Sequence, residues 1–278
     1  MARKLSELSQ RQLLTKLRNI PQGSYYMEIH SHLETILEKK YHDDHVLCFR
    51  RFNESQLTSN LLKGGFYNTF SDDFNKNVMK INDFGFIKRA HAEYNPEYIQ
   101  LNCMAVIINK SRNKIVLLDR PDFDTTMVGG HVDFDYRAYN MSVLEIIRFN
   151  MIKELSEEIK NGISYAKYLS EEPILVCSTE ISDGDTKFYD IFHNAVIFEI
   201  VVPDELIEGI ESGEKSHTTK VYSLDDVSSI KKKKRWITEY LDYVEQINHS
   251  IMEHISTMNK ADRDLITNKK PQKMTANQ

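Results

Sequence analysis

The chain has little cysteine, proline or glycine: 278 residues hold only 3 Cys, 6 Pro and 10 Gly. Cys48, Cys103 and Cys177 are odd in number and far apart, which excludes a disulfide framework and a zinc knuckle. Cys103 and Cys177 stand in apolar runs and read as small core hydrophobes, so a reducing, cytoplasmic setting is expected. Long apolar runs are also missing. The longest clean one, Cys103 to Ile108, is far short of the roughly 20 residues a bilayer span needs, so no membrane partner is expected. The opening MARKLSELSQRQLL has no apolar segment of the secretory kind, so no secretory leader is expected. Positive charge is in deficit: Lys plus Arg is 36 against 41 Asp plus Glu, a net charge of −5. A role in wrapping nucleic acid would have to rest on a local patch. Hydrophobic residues at 41% and charged residues at 28% give an ordinary globular balance, which excludes wholesale disorder and collagen-like repeats.

Hydrophobic spacing divides the chain. Leu5, Leu8, Leu13, Leu14 and Leu17 suit one helix face, a turn follows at 20–24, and a second helix is expected from Met27 to Lys40. Val46 to Phe49 suits a strand, Gly64-Gly65 a break, and aromatics are dense from Phe66 to Phe86. Residues 1–95 read as a separate α-rich unit. Beyond Asn95-Pro96 the pattern becomes strand-like: Leu101–Ile108, a polar turn at Asn109–Asn113, then Ile115–Leu118. A helix is expected over 142–160, strands at Ile174–Thr179, Phe188–Val202 and Lys220–Leu224, and a turn at Ser182–Asp185. Strand hairpins with an intervening helix predict an α/β sandwich around a mixed sheet over 96–230. A C-terminal helix from about Trp236 to Met258 falls in 231–260, with Trp236, Tyr240, Tyr243, Ile247, Ile251 and Ile255 on one face, and 261–278 reads as a fraying tail.

The chemically informative stretch is Gly129-Gly-His-Val-Asp133 followed by Lys153-Glu-Leu-Ser-Glu-Glu-Ile159. At about 100° per residue, Glu154, Glu157 and Glu158 share a sector roughly 100° wide, and Leu155, Ile159 and Ile152 can dock the helix on a sheet. Like charges at i,i+4 oppose a helix by about 0.2–0.5 kcal/mol. A hard cation such as Mg²⁺ reverses that sign, since it takes oxygen ligands and bridges carboxylates to phosphate oxygens. The plainer reading is a solvated acidic face with Lys153 and Lys160 as partners for Glu157. Gly129-Gly130 at a strand end lets backbone approach a ligand closely.

A double Gly, an acid three residues on, and an ExxEE helix resemble the signature of the Nudix hydrolases: G, five residues, E, seven residues, R-E-U-x-E-E-x-G-U, with U aliphatic. Lys153–Ile159 stands over R-E-U-x-E-E-x, Gly130 over the first Gly, and Lys220–Val227 over the aromatic-containing edge segment that commonly ends such domains. The resemblance covers roughly 97–230. Three departures are visible. Lys153 replaces the family's Arg, which leaves a point charge where the family has a bidentate fork. The late Gly falls on Lys160, with Gly162 two residues beyond. Gly130 and Glu154 lie 24 positions apart, nine more than the signature allows, so an insertion lies within 134–149. Counting back from the helix puts Glu145 on the family's first Glu; counting forward from Gly130 puts Tyr136 there. Glu145 also fits a capping box with Ser142 at the N-cap. Asp133 is either a further acid for the cleft or a tie for the loop.

The resemblance implies a Nudix-like α/β/α sandwich and a metal-dependent pyrophosphohydrolase that cleaves a diphosphate linkage in a nucleotide or nucleoside diphosphate derivative. It implies Mg²⁺ or Mn²⁺ held by Glu154 and Glu158, with Glu157 as a ligand or orienting metal-bound water. Lys153 pairs with one of these acids. Gly129 and Gly130 shape the loop that meets substrate. His131 either reaches a phosphate or packs the loop. Tyr136 and Tyr139, in an insertion expected to be a loop over about 134–142, either stack on a base or pack on the sheet. The general base is unassigned. The alternative is a binding or regulatory module that keeps the fold without the chemistry. His30, His32, His42 and His45 with Asp43 and Asp44 invite a metal reading, but no zinc spacing fits. Lys231–Arg235 suits phosphate or RNA contacts less well than a solvated linker in so acidic a chain.

Overall fold

The central strand explains the rest of the architecture. β4 (Tyr98–Asn109) is buried at every position from Ile99 to Asn109, and such a strand must be covered on both faces. In the computed structural model, which describes residues 5–50, 65–68, 84–120, 125–138, 141–178, 192–234 and 236–246, it is. The odd residues Leu101, Cys103, Ala105 and Ile107 enter one core together with Ile147, Met151 and Leu155. The even residues Met104, Val106 and Ile108 enter a second core with Trp236, Ile237 and Tyr240. The period of two along the strand thus assigns each side chain to one of two layers.

The helices precede and follow accordingly. α1 (Gln10–Arg18) starts in a capping box between Ser9 and Gln12, and α2 (Ser24–Tyr41) runs beside it. Leu13, Leu17, Ile29, Leu33 and Leu37 are buried between them, along with Ala90 and Phe192. β1 (His45–Arg50), β2 (Gly65–Asn68) and β3 (Phe84–Lys88) follow, and the one-turn α3 (Arg89–Ala92) leads into β4. Then come β5 (Lys114–Asp119), β6 (Val128–His131) and the long α4 (Val143–Glu158). β7 (Leu175–Ser178), β8 (His193–Val202), β9 (Thr218–Ser223), the short α5 (Leu224–Val227) and α6 over residues 236–246 complete the chain.

All nine described strands join one sheet, in the order β2-β7-β8-β4-β1-β3, with β5 and β6 also on β4 and β9 on β5. β4 and β8 are parallel and the other pairs antiparallel, so the sheet is mixed. The architecture is an α/β/α sandwich: α4 lies on one face, while α6 and the α1–α3 group cover the other. β1 and β3 precede residue 95 and yet pair with each other and with β4. The first 95 residues therefore supply sheet as well as helix, more than the α-rich reading expected. No described helix is long and apolar enough to cross a membrane.

Two local expectations can be checked closely. Before α4 the described residues 132–138 form a loop with one 3-10 turn at Tyr136–Ala138, and the helix starts only after Ser142. Ser142 and Glu145 form the reciprocal capping box, worth about 1 kcal/mol. Glu145 is thereby engaged at the opposite end of the helix from Glu154. The helix also stops earlier than expected, at Glu158, where Ile159 turns extended. The close approach that a Gly permits there is at 162: a Cβ on Gly162 would stand 1.7 Å from the Leu155 carbonyl oxygen. Gly162, two residues late, meets the need that Lys160 cannot. Ser182–Asp185, Tyr139, Gly64, Phe70, Phe74 and everything from Ile247 onward lie outside the described residues.

Candidate active site

β6 carries the two glycines into the sheet, where Gly130 pairs with Cys103 and Gly129 with Met104. α4 crosses behind them. A Cβ added at Gly130 would meet the Glu154 carboxylate at 2.8–2.9 Å, so the acid occupies the space that any other residue would fill. One turn on, Glu158 is 4% exposed. Its Oε2 accepts from the Gly129 amide at 2.7 Å, and its Oε1 accepts from Arg120 Nη2 at 2.7 Å. Gly129 sits at φ +138°, and a Cβ there would lie 2.1 Å from the Cys103 carbonyl oxygen, so backbone conformation and space both require glycine.

The two acids differ electrostatically. Burial, with Glu158, Glu157 and Asp133 nearby, pushes the Glu154 carboxyl up to about 8. Burial pushes Glu158 up to about 7, opposed by the Gly129 amide and Arg120. Glu158 is the more buried of the pair and yet less perturbed, because two donors hold its charged form. Glu154 has no hydrogen-bond donor among the described residues. It is an acid pressed against backbone and repelled by its neighbours, with Lys153 only partly opposing that repulsion. Hard oxygen donors in that state fit Mg²⁺ or Mn²⁺.

The other expected members are placed less centrally. Glu157 is exposed, and neither lysine proposed for it takes that role: Lys160 pairs with Glu211 at 2.6 Å and Lys153 with Asp133 at 3.2 Å. Lys153 therefore does not pair with one of the three glutamates, as the resemblance implied. Asp133 ties the loop to the helix, since its amide also donates to Asn150 Oδ1. Arg120, at the end of β5, takes the ion-pairing role. Nothing in the helix sequence pointed to it, because it lies 38 residues from Glu158. Tyr136 is 79% exposed and is not part of the cleft wall.

The cleft itself, about 500 Å³, opens on the opposite face of β6 from Glu154 and shares Gly129, Gly130 and Arg120 with the acidic side. Its floor holds Asn102 and Met104 of β4 and His131 of β6. Lys40, Tyr41, Arg89 and Tyr94 reach it from the N-terminal side, and Lys234 and Trp236 from the C-terminal side. Arg89 lies over the Tyr41 ring at 4.3 Å. The Trp236 indole donates to Thr126 at 3.2 Å. The basic run folds back rather than forming a solvated linker: Lys234 donates its amide to the Thr125 carbonyl, and the Lys232 carbonyl accepts from the Thr125 amide. Burial, with Arg89 and His193 beside it, holds the His131 imidazole well below its ordinary value. Of the histidines singled out early in the chain, His30 is buried against the Glu93 carbonyl and His45 bonds the Asp43 carbonyl; they do not converge.

The α/β/α sandwich is the fold of the Nudix hydrolases, and the chain has that fold. Tm1382, described as a Nudix hydrolase, superposes with a TM-score of 0.53 at 16% identity, over 73% of this chain and 99% of that one. The NUDIX domain of Shewanella oneidensis NrtR, solved with ADP ribose, gives 0.37 at 15% identity, over 55% and 95%. The dihydroneopterin triphosphate pyrophosphohydrolase of E. coli gives 0.34 at 14%, over 51% and 93%. No protein-family model matches the chain. No curated protein matches it either.

Proposed function

We propose that the protein is a metal-dependent pyrophosphohydrolase acting on a diphosphate linkage in a nucleotide-like substrate. The observation that carries this reading is the seating of Glu154 against Gly130, one turn from Glu158 on Gly129. A bound Mg²⁺ or Mn²⁺ would neutralise phosphate oxygens and orient the attacking water. Glu154 offers its carboxylate to the ion, and Glu158, fixed by Arg120 and the Gly129 amide, adds the second charge. The diglycine backbone, bare of side chains, lets both acids lie directly against β6, behind the cleft. Arg120, Arg89, Lys40 and Lys234 surround the cleft with positive charge suited to phosphates in a chain that is acidic overall.

One observation favours the non-catalytic alternative. Both oxygens of Glu158 are already engaged, which suits a structural acid. Turnover of a panel of nucleoside triphosphates, nucleotide sugars and dinucleotides with Mg²⁺ or Mn²⁺ separates the readings. Hydrolysis that stops in Glu154→Gln supports the enzyme; tight binding of a panel member without turnover supports the module.

A further inference from the structure

A different kind of site lies at the floor of the cleft. Glu93 ends α3, His131 ends β6 and His193 begins β8. These three elements are remote in sequence, and the sheet brings them together. His131 pairs with Asn102 on β4, and His193 pairs with Gln100, two positions earlier on the same face of that strand. Glu93 then reaches in from above, bonded to Gln100 Nε2 at 3.1 Å through Oε2. One ligand atom from each of Glu93, His131 and His193 lies within 4.8 Å of the others. The His131 and His193 Nε2 atoms face each other at 3.2 Å.

That separation is the informative one. Two nitrogens bound to one tetrahedral Zn²⁺ at about 2.0–2.1 Å stand roughly 3.3–3.4 Å apart. The same distance also suits a single N–H···N hydrogen bond, with one ring donating and the other accepting. The surroundings distinguish the two. Asn102 Oδ1 and Gln100 Oε1, on the same face of β4, are buried acceptors with no partner among the described residues, while Arg89 Nε, on the same cleft, is a buried donor with none. Glu93, 1% exposed, adds a carboxylate to two imidazoles. One carboxylate and two imidazoles converging on a single point form a ligand set for a cation.

We propose that Glu93, His131 and His193 bind one borderline divalent cation of the Zn²⁺ type, with its fourth position open to the cleft. The site differs in kind from the Glu154–Glu158 site. Imidazole with carboxylate selects Zn²⁺ and its neighbours, whereas an all-carboxylate set selects Mg²⁺ or Mn²⁺. It also lies on the other face of β6: His131 faces the Asn102 side, and Glu154 meets Gly130 from the Cys103 side. Arg89 borders the same cleft and opposes the ion, so affinity is expected to be moderate.

The test is metal binding by the full chain, stripped with a chelator and titrated with Zn²⁺ and with Co²⁺. One equivalent of each is expected, with the Co²⁺ protein showing the visible bands of a four-coordinate site. His131→Gln and His193→Gln should each weaken binding about 100-fold or more, while Glu154→Gln leaves it unchanged; circular dichroism confirms that each variant is folded. Should a histidine variant fail to fold, Glu93→Gln reads the same site. No stoichiometric binding, several weak sites, or a site lost in Glu154→Gln but kept in the histidine variants would each overturn the proposal. Because Zn²⁺ binding is read without turnover, its failure is separate from any failure of the hydrolase reading.

Discussion

The Glu154 carboxylate stands where the Cβ of residue 130 would be, within 2.9 Å of that absent atom. An acid on a helix and a glycine on a strand thus form one feature. The neighbouring glycine answers to a different constraint, since its own backbone and the Cys103 carbonyl forbid a side chain. The two positions should therefore fail differently. In Gly130→Ala the new methyl meets only the mobile end of a side chain, so the melting temperature should hold while turnover collapses. Gly129→Ala forces a disfavoured backbone and a backbone clash, and should cost about 2–4 kcal/mol or prevent folding. Thermal melts with a rate assay on both variants check the contrast; equal loss of stability in the two would refute it.

Removing the acids' charge while keeping their shape should separate chemistry from folding. Glu154→Gln and Glu158→Gln should each fold and lose at least about 100-fold in turnover and in Mg²⁺ or Mn²⁺ affinity. Isothermal titration with a rate assay measures both. Wild-type behaviour from two folded variants would end the Mg²⁺-site reading.

The pH dependence follows from the raised carboxyls. A carboxyl whose folded value lies above its unfolded one contributes stability in full below the unfolded value and loses it as pH rises through the folded value. Glu154 moves from 4.5 to about 8 and Glu158 from 4.5 to about 7. Metal-free protein should therefore lose stability between about pH 5 and pH 8, and added Mg²⁺ should restore most of it at the upper end. Glu154→Gln should flatten the slope. Denaturant midpoints across that range, with and without metal, give the answer; a metal-free protein that grows more stable over the interval contradicts it.

Arg120 is expected to matter beyond its modest place in the sequence. Replacing it with Met leaves the buried Glu158 with the Gly129 amide alone, at a cost of about 2–3 kcal/mol, since the arginine is itself partly exposed. Pairing Arg120→Met with Glu158→Gln should recover part of that loss, because the uncompensated charge is gone. Additive effects in the double-mutant cycle would mean that the two groups do not interact.

The N-terminal residues should prove inseparable from the rest. A chain beginning at residue 96 lacks β1 and β3, exposes the edge of β4 and loses Lys40, Arg89 and Glu93 from the cleft. It should be insoluble or aggregate, as exposed central strands do. A soluble, monomeric product with wild-type rate and substrate preference would show that the first 95 residues are dispensable. By the same logic Tyr136→Ala, outside the cleft wall, should leave KM and the melting temperature unchanged, whereas Trp236→Ala, which empties part of the second core, should lower the melting temperature.

The sequence alone determined what depends on neighbours along the chain. Periodicity marked β4, β5, β9 and the acidic helix α4, because burial on one or both faces is written into spacing. The Ser142–Glu145 capping box and the loop before it were legible for the same reason: a cap needs only the three residues that follow it. So was the shared sector of Glu154 and Glu158, which is helix geometry. Tertiary structure decided which groups those acids meet. Lys153 turned to Asp133, and Arg120 reached Glu158 from another strand, since ion pairs follow distance in space and not in number. Gly162 took the place expected of 160 because the need was for clearance beside the Leu155 carbonyl, which exists only after the chain has turned. His131 was marked in the sequence only as a candidate beside the loop; its convergence with Glu93 and His193 comes from the parallel pairing of β4 with β8 and the antiparallel pairing of β4 with β6. Local patterns record which face of an element is buried; only the register between strands sets what stands opposite it.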